Sequence, residues 1–173
     1  MVDKDKSTYN YTVFETAAGW AAVAGRGGKV SALEFPQPTR EEAVARLGAG
    51  IPGRLVESNG EYETLARQLR DYFAGTKTQF TFEPDLDGLT EFQRNVLRTV
   101  MTVPYGVVVT YSWIASRAGR PGAYRAAGQA LGRNPIPIAI PCHRVVASGG
   151  GLGGFSSGLH WKERLLKMEG VAL

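Results

Sequence analysis

Along the first third of the chain, short apolar runs alternate with glycine-rich breaks. Tyr9-Asn-Tyr-Thr-Val-Phe14, Trp20-Ala-Ala-Val23 and Lys29-Val-Ser-Ala-Leu-Glu-Phe35 are rich in β-branched and aromatic residues, with Gly19 and Gly25-Arg-Gly-Gly28 between them. This pattern predicts an antiparallel meander with tight turns. The period then lengthens. Thr39-Arg-Glu-Glu42 has the form of a capping box and opens a helix to about Leu47. From Glu61 to Ala74, Leu65, Leu69 and Tyr72-Phe73 share one helical stripe, and Gly75 is a natural stop. Gln79-Phe-Thr-Phe82 alternates like a strand. The polar, turn-rich stretch Pro84-Asp-Leu-Asp-Gly88 sets a boundary between domains 1–87 and 88–173.

The second domain reads as mostly helical. Thr90 caps a helix in which Phe92, Val96, Leu97 and Val100 recur, and which ends before Pro104-Tyr-Gly106. Val107-Val-Val109 is a short strand or a buried connection. Thr110 is the N-cap of a helix over 111–118, the turn Gly119-Arg-Pro-Gly122 follows, and a further helix spans about 123–133. Two short helices joined by a glycine turn form a helix-turn-helix candidate. On the last of these, Ala123, Ala126, Ala127, Ala130 and Leu131 face one way and Arg125, Gly128, Gln129 and Gly132 the other. The exposed face is nearly bare, which suits binding by shape, with one long cation as a probe. A glycine-spaced contact with another helix is the alternative. A final helix over about 159–168 follows the glycine run Gly149-Gly-Gly-Leu-Gly-Gly154, and Trp161, Leu165 and Glu169 stack on one side of it.

The net charge of +4 conceals a division. Residues 1–87 carry 10 Lys and Arg against 13 Asp and Glu, a net of −3; residues 88–173 carry 10 against 3, a net of +7. A basic domain beside a mildly acidic one points to a polyanionic partner, against the alternative of an ordinary solvated basic face. No apolar run is long enough to span a bilayer, and the charged N-terminus has no leader-like apolar segment after it. With 1 cysteine and 2 histidines, an internal disulfide is impossible and a zinc site is not expected.

The chemistry concentrates in Ile138-Ala-Ile-Pro-Cys-His-Arg-Val-Val146, which holds the lone cysteine, Cys142, beside His143. Apolar neighbours shield a thiolate, and an adjacent imidazole can take its proton. A lone cysteine is otherwise a small buried hydrophobe. Glu169 shares a helical stripe with core residues, so it needs a partner, and His143 completes a Cys–His–Glu relay. In an extended segment Cys142 and His143 point apart, so their coupling requires a bridging water or a turn.

Pro141-Cys-His-Arg144 within this segment resembles the active-site signature of the O6-alkylguanine-DNA alkyltransferases. The resemblance runs from about Phe92 to Gly170 and includes Val109-Thr-Tyr111, Arg125-Ala-Ala-Gly128, Arg133-Asn-Pro135, Phe155-Ser156 and Glu169-Gly170. It implies an α+β protein, with a ribonuclease-H-like N-terminal α/β scaffold domain and a winged-helix-like DNA-binding and catalytic domain. It implies single-turnover repair of O6-alkylguanine, and of O4-alkylthymine, flipped out of duplex DNA. Cys142 would be the nucleophile and alkyl acceptor, His143 the base, Glu169 its orienting acid and Tyr111 the proton donor to the leaving base. Asn134 would tie the recognition helix to the active-site segment. Ser156, the Val145 backbone and Phe155 would meet the base. Arg125 would fill the gap left in the stack, with Tyr124, Gly128 and Gln129 beside it on DNA.

The resemblance implies no cofactor or metal, and a monomer in the cytoplasm (the nucleus of a eukaryote) without a membrane partner. Cooperative binding along DNA is left open. Phe155 stands where tyrosine is usual, Tyr124 is bulkier than usual, and the N-terminal zinc ligands of some members are missing. A cysteine hydrolase, a transcription factor and a non-catalytic lesion-sensing helix-turn-helix protein are the rival readings; in the last group a tryptophan replaces the cysteine.

Overall fold

The computed structural model describes residues 8–58 and 60–173, which divide into two compact units, Met1–Asp85 and Leu86–Leu173. The first is built on a sheet. Strands β1 (Thr8–Thr16), β2 (Gly19–Arg26) and β3 (Lys29–Gln37) form the antiparallel meander. Its turns require glycine: Gly27 and Gly28 take positive φ, and a Cβ on Gly25 would meet the Lys29 carbonyl oxygen at 1.8 Å, beside a register shift. Helix α1 (Arg40–Ala49) covers one face, where Ala22, Ala24, Ala43 and Leu47 form a buried cluster. Helix α2 (Glu63–Phe73) lies toward the other, with Arg70 over the ring of Phe14. Burial from Ala21 to Ala24 on both faces makes β2 the centre of the unit.

Three details of the first unit depart from the sequence pattern. A fourth strand, β4 (Arg54–Glu57), pairs parallel with β1 and gives the order β3-β2-β1-β4. Its two apolar residues between two charges carry no periodic signal, and it is extended because β1 offers it an edge. Conversely, Gln79–Phe82 is not a strand. Thr81 bonds through its backbone N–H to the Gln68 side chain of α2 at 2.8 Å, and the chain pairs with β3 only through a bridge at Pro84. At Thr39 only half of a capping box forms: its hydroxyl accepts from the Glu42 N–H at 3.2 Å.

The second unit is helical. Helix α3 (Glu91–Met101) carries the complete capping box, with Thr90 and Gln93 bonded reciprocally at 3.2 and 3.0 Å. Strand β5 (Val109–Thr110) leads directly into helix α4 (Tyr111–Arg117), whose first turn is capped by the Thr110 hydroxyl on the Trp113 N–H. Helix α5 (Tyr124–Gly132) packs against α3 and α4 through Ala127, Ala130 and Leu131. Strand β6 (Val145–Val146) pairs parallel with β5, and helix α6 (Leu159–Met168) closes the unit. Leu97, Ile114, Ile136, Ile140, Leu165 and Leu166 are fully buried, each stabilising by about 1.5–3 kcal/mol relative to exposure.

Candidate active site

The segment before Cys142 is unusual in its backbone. Ile138 has φ 72°, a left-handed conformation that β-branched residues avoid. It is held there from both sides. The Ile140 N–H donates to the Ile136 carbonyl at 2.9 Å. The Asn134 side chain donates to the Ile140 carbonyl at 2.9 Å and accepts from the Ile136 N–H at 3.0 Å. Asn134 therefore connects the residue after α5 to the approach to the thiol, and its side chain also hydrogen-bonds the Cys142 sulfur.

Cys142–Arg144 is a single 3-10 turn rather than an extended stretch. Successive side chains in such a turn are about 120° apart instead of opposed. Cys142 can thus face a cavity while His143 and Arg144 face inward. Cys142 is 8% exposed, and His143 is fully buried.

Behind the thiol, the Glu169 carboxylate is surrounded by donors. His143 Nε2 lies 2.8 Å from Oε1, Arg144 Nη2 donates to Oε1 at 2.8 Å, and Arg144 Nε donates to Oε2 at 2.9 Å. Arg144 Nη1 donates to the Val103 carbonyl at 2.7 Å. Burial by itself would raise the Glu169 carboxyl, but the hydrogen bonds from His143 and Arg144 outweigh it and hold the group at about 2. An ionised Glu169 can only accept, so His143 Nε2 carries the proton in this assignment and Nδ1 carries the lone pair. Nδ1 is buried and has no hydrogen-bond partner among the described residues. Burial pushes the His143 imidazole below its ordinary range, against the pull of Glu169, so it rests neutral. Burial pushes the Cys142 thiol up, against the Asn134 bond and the charge of Lys162. The resting arrangement is therefore a neutral thiol beside a neutral imidazole whose free nitrogen is a base.

A cavity of about 720 Å³ opens above Cys142. Tyr111, Phe155 and Ser156 line it with the thiol, and from α5 come Tyr124, Arg125, Gly128 and Gln129. His143 and Glu169 stand behind the wall. Val145 is fully buried and does not line the cavity; its carbonyl accepts from Lys162 Nζ at 2.6 Å. The Tyr111 hydroxyl donates to the Gly154 carbonyl at 3.4 Å. Within the glycine run, Gly153 is pressed against that ring: a Cβ there would lie 2.5 Å from the Tyr111 oxygen. On the outer face of α5, a Cβ at Gly132 would meet nothing and one at Gly128 would meet only the Tyr111 ring of α4 at ordinary contact distance, 3.7 Å, so neither glycine is required by a close helix–helix approach.

Two site residues escape a reading of the sequence. The buried stripe of α6 is Lys162, Leu165, Leu166 and Glu169, not the stack through Trp161, which is half-buried. Lys162 is completely buried, and Arg144 is 6% exposed. The available signal was the phase of Lys162 and Glu169 with two adjacent leucines, a charged residue at each end of an apolar stripe.

Fold and site define a small mixed α/β protein with one thiol, set beside an imidazole–carboxylate pair at the base of an apolar cavity. Residues 91–171 match the family model of the 6-O-methylguanine DNA methyltransferase DNA-binding domain. A methylated-DNA–protein-cysteine methyltransferase of Mycobacterium leprae is 40% identical over 155 residues, covering 90% of this chain and 88% of that protein. A crystal structure of Mycobacterium tuberculosis OGT in complex with DNA aligns with a TM-score of 0.76 at 35% identity, covering 93% of each chain. That of the O6-methylguanine-DNA methyltransferase from the hyperthermophilic archaeon Pyrococcus kodakaraensis aligns at 0.70 and 29%, covering 94% of this chain and 99% of that one. The chain belongs to the methylated-DNA–protein-cysteine methyltransferase family, as the resemblance around Pro141–Arg144 implied.

Proposed function

We propose that this protein repairs duplex DNA by moving the alkyl group of O6-alkylguanine, and of O4-alkylthymine, onto Cys142. The observation that carries the mechanism is the His143–Glu169 contact of 2.8 Å, which leaves Nδ1 as the basic atom on the thiol's neighbour. Cys142 gives its proton through a bridging water to His143 Nδ1, which has no direct hydrogen-bond partner among the described residues, and the sulfur attacks the alkyl carbon in line. The S–C bond forms as the C–O6 bond breaks, and its electron pair passes into the guanine ring. Tyr111 protonates the leaving base and recovers a proton from His143. Ser156 bonds O6 and Phe155 forms an apolar wall. The product thioether is a poor electrophile and 1 cysteine leaves no resolving thiol, so each molecule acts once.

DNA is the partner this reading requires. In the second unit eight of the ten cations lie outside the buried group, against Asp87, Glu91 and Glu163, giving about +5 at the surface beside +1 inside. That field favours phosphate binding without sequence preference. The helix pair α4–α5 offers the recognition helix, whose bare face suits a lesion met in any sequence. Arg125 fills the stack, flanked by Tyr124, Gly128 and Gln129. We read the first unit, 1–87, as a ribonuclease-H-like scaffold, which the antiparallel meander followed by a parallel edge strand supports, and 88–173 as a winged-helix-like catalytic domain. The setting is the cytoplasm, or a nucleus, with the protein acting as a monomer; no described helix is long and apolar enough to cross a membrane. Mixing with duplex DNA containing O6-methylguanine should add one methylene to the intact mass. Multiple turnover by unmodified protein would refute the proposal.

A further inference from the structure

Lys162 has no part in the relay, yet it is the second buried cation of the molecule's described core. Its Nζ donates to the Val145 carbonyl at 2.6 Å and to the Gly154 carbonyl at 3.3 Å. It lies 5.7 Å from the centre of the Tyr111 ring and 6.0 Å from that of Phe155. It therefore touches three walls of the cavity, Tyr111, Gly154 and Phe155, from behind. Arg144 is neutralised by Glu169, but among the described residues no carboxylate lies within ion-pair distance of Lys162. A buried ammonium without a counter-ion is a standing cost, so its position calls for a charge that the resting site lacks.

The proposed reaction supplies that charge twice. Proton transfer to His143 leaves a thiolate at Cys142, and proton donation to the leaving base leaves a phenolate at Tyr111. Both groups border the cavity whose rear wall Lys162 supports. Resting on the alkyl-transfer reading, we propose that Lys162 is the positioning residue of the site. Its ammonium offsets the negative charge formed first on Cys142 and then on Tyr111, and its two hydrogen bonds hold the loop carbonyl of Gly154 on which the Tyr111 hydroxyl rests. The groups around it are the Tyr111 phenol from α4, the Cys142 thiol and His143 imidazole of the turn, and the Glu169–Arg144 pair behind them. The same charge opposes an imidazolium at His143, where the Glu169 carboxylate at 2.8 Å acts against it, whereas it favours a thiolate at Cys142. Burial lowers Lys162 to about 8 with Cys142 opposing, so the ammonium is still the major form at neutral pH.

The test separates charge from packing. Lys162→Met removes both charge and donors, Lys162→Gln keeps a donor without charge, and Lys162→Arg keeps the charge. Iodoacetamide labelling of Cys142, read by intact mass across pH, reports thiolate formation without DNA; the single-turnover methyl-transfer rate on O6-methylguanine duplex reports the reaction. The Met and Gln variants should move the labelling midpoint up by about one pH unit and slow methyl transfer at pH 7 by about tenfold, in line with a unit of thiol shift. The Arg variant should keep the midpoint near that of the parent. Equal midpoints for the Gln and Arg variants would overturn the proposal, and this comparison stands even if the Met variant does not fold. A shifted midpoint together with no methyl transfer by the parent protein would instead count against the alkyl-transfer reading.

Discussion

The two units treat charge in opposite ways. In the first, the ion pairs Lys29–Glu83, Arg40–Glu57 and Arg70–Glu63 lie at the surface, and only the Asp85 end of Arg26–Asp85 is enclosed. Among its described residues, the buried ones are apolar or aromatic apart from Thr12 and the enclosed Asp85 carboxylate. In the second, His143, Arg144, Lys162 and Glu169 are all buried within 27 residues of sequence. Exposed pairs are worth about 0–1 kcal/mol. A buried group of charges stabilises little overall, because desolvation offsets attraction, but removing one member leaves another exposed to the full penalty. The first unit is thus organised by the sheet and its apolar faces. The second accepts a less favourable interior in exchange for a poised thiol, imidazole and carboxylate.

The contrast can be broken or sharpened by experiment. Cys142→Ala should abolish alkyl uptake completely, read as an unchanged intact mass after exposure to O6-methylguanine duplex, while DNA binding by titration persists; any added methylene would locate the acceptor elsewhere. Glu169→Gln strands Arg144 inside the protein and should lower unfolding free energy by about 3–5 kcal/mol, whereas Glu63→Gln, at an exposed pair, should change it by less than about 1 kcal/mol. Similar losses in denaturant titrations of the two variants would erase the distinction.

Acid should act on the two units with opposite sign. Glu169 has a folded-state value of about 2, below its ordinary 4.5, so its contribution is complete above 4.5 and disappears as pH falls toward 2. His143 is also lowered, so below about 6.5 the unfolded chain takes a proton that the folded one refuses, again favouring unfolding as pH falls. In the first unit, burial raises Glu34, so protonation there favours the fold. Amide NMR during an acid titration should show resonances of residues 86–173 lost before those of 8–85; the reverse order would contradict the assignment of the buried charges. Arg125→Ala should slow repair of duplex substrate by about tenfold to a hundredfold, the equivalent of losing a few kcal/mol of help with unstacking, yet leave iodoacetamide labelling of Cys142 unaltered. The smallest effect belongs to the caps. Thr90→Ala breaks a reciprocal capping box and should cost about 1–2 kcal/mol, and Thr39→Ala, which removes one bond, about 1 kcal/mol or less.

What could be read locally followed local physics. The meander over residues 8–37 announces itself through β-branched and aromatic runs between glycines, and α2 through its apolar stripe. The caps at Thr90 and Thr110 lie next to the helices they start. The family is legible in Pro141–Arg144 and its flanking motifs, because the thiol, the imidazole and their backbone are adjacent in the chain. Misreadings arose where a partner lies far away. Gln79–Phe82 has a strand's alternation, but its backbone is met by Gln68 of α2, while β4 lacks the alternation and is made a strand by β1. For Cys142 and His143 the sequence left a turn and a bridging water open, and the 3-10 turn over Cys142–Arg144 is what the structure adds.

The sequence alone determined the repertoire: one thiol, one adjacent imidazole, a basic second half and a helix with a bare face. Tertiary structure decided their states. Whether Lys162 is a solvated surface charge or a buried ammonium depends on which groove α6 presents to the cavity wall, and whether Glu169 is a frayed end or a carboxylate held at about 2 depends on Arg144 and His143, 25 and 26 residues away. The physical reason is the range of the forces. Backbone preference and periodic burial act over a few residues, but desolvation and charge pairing are fixed only when the whole unit closes around them.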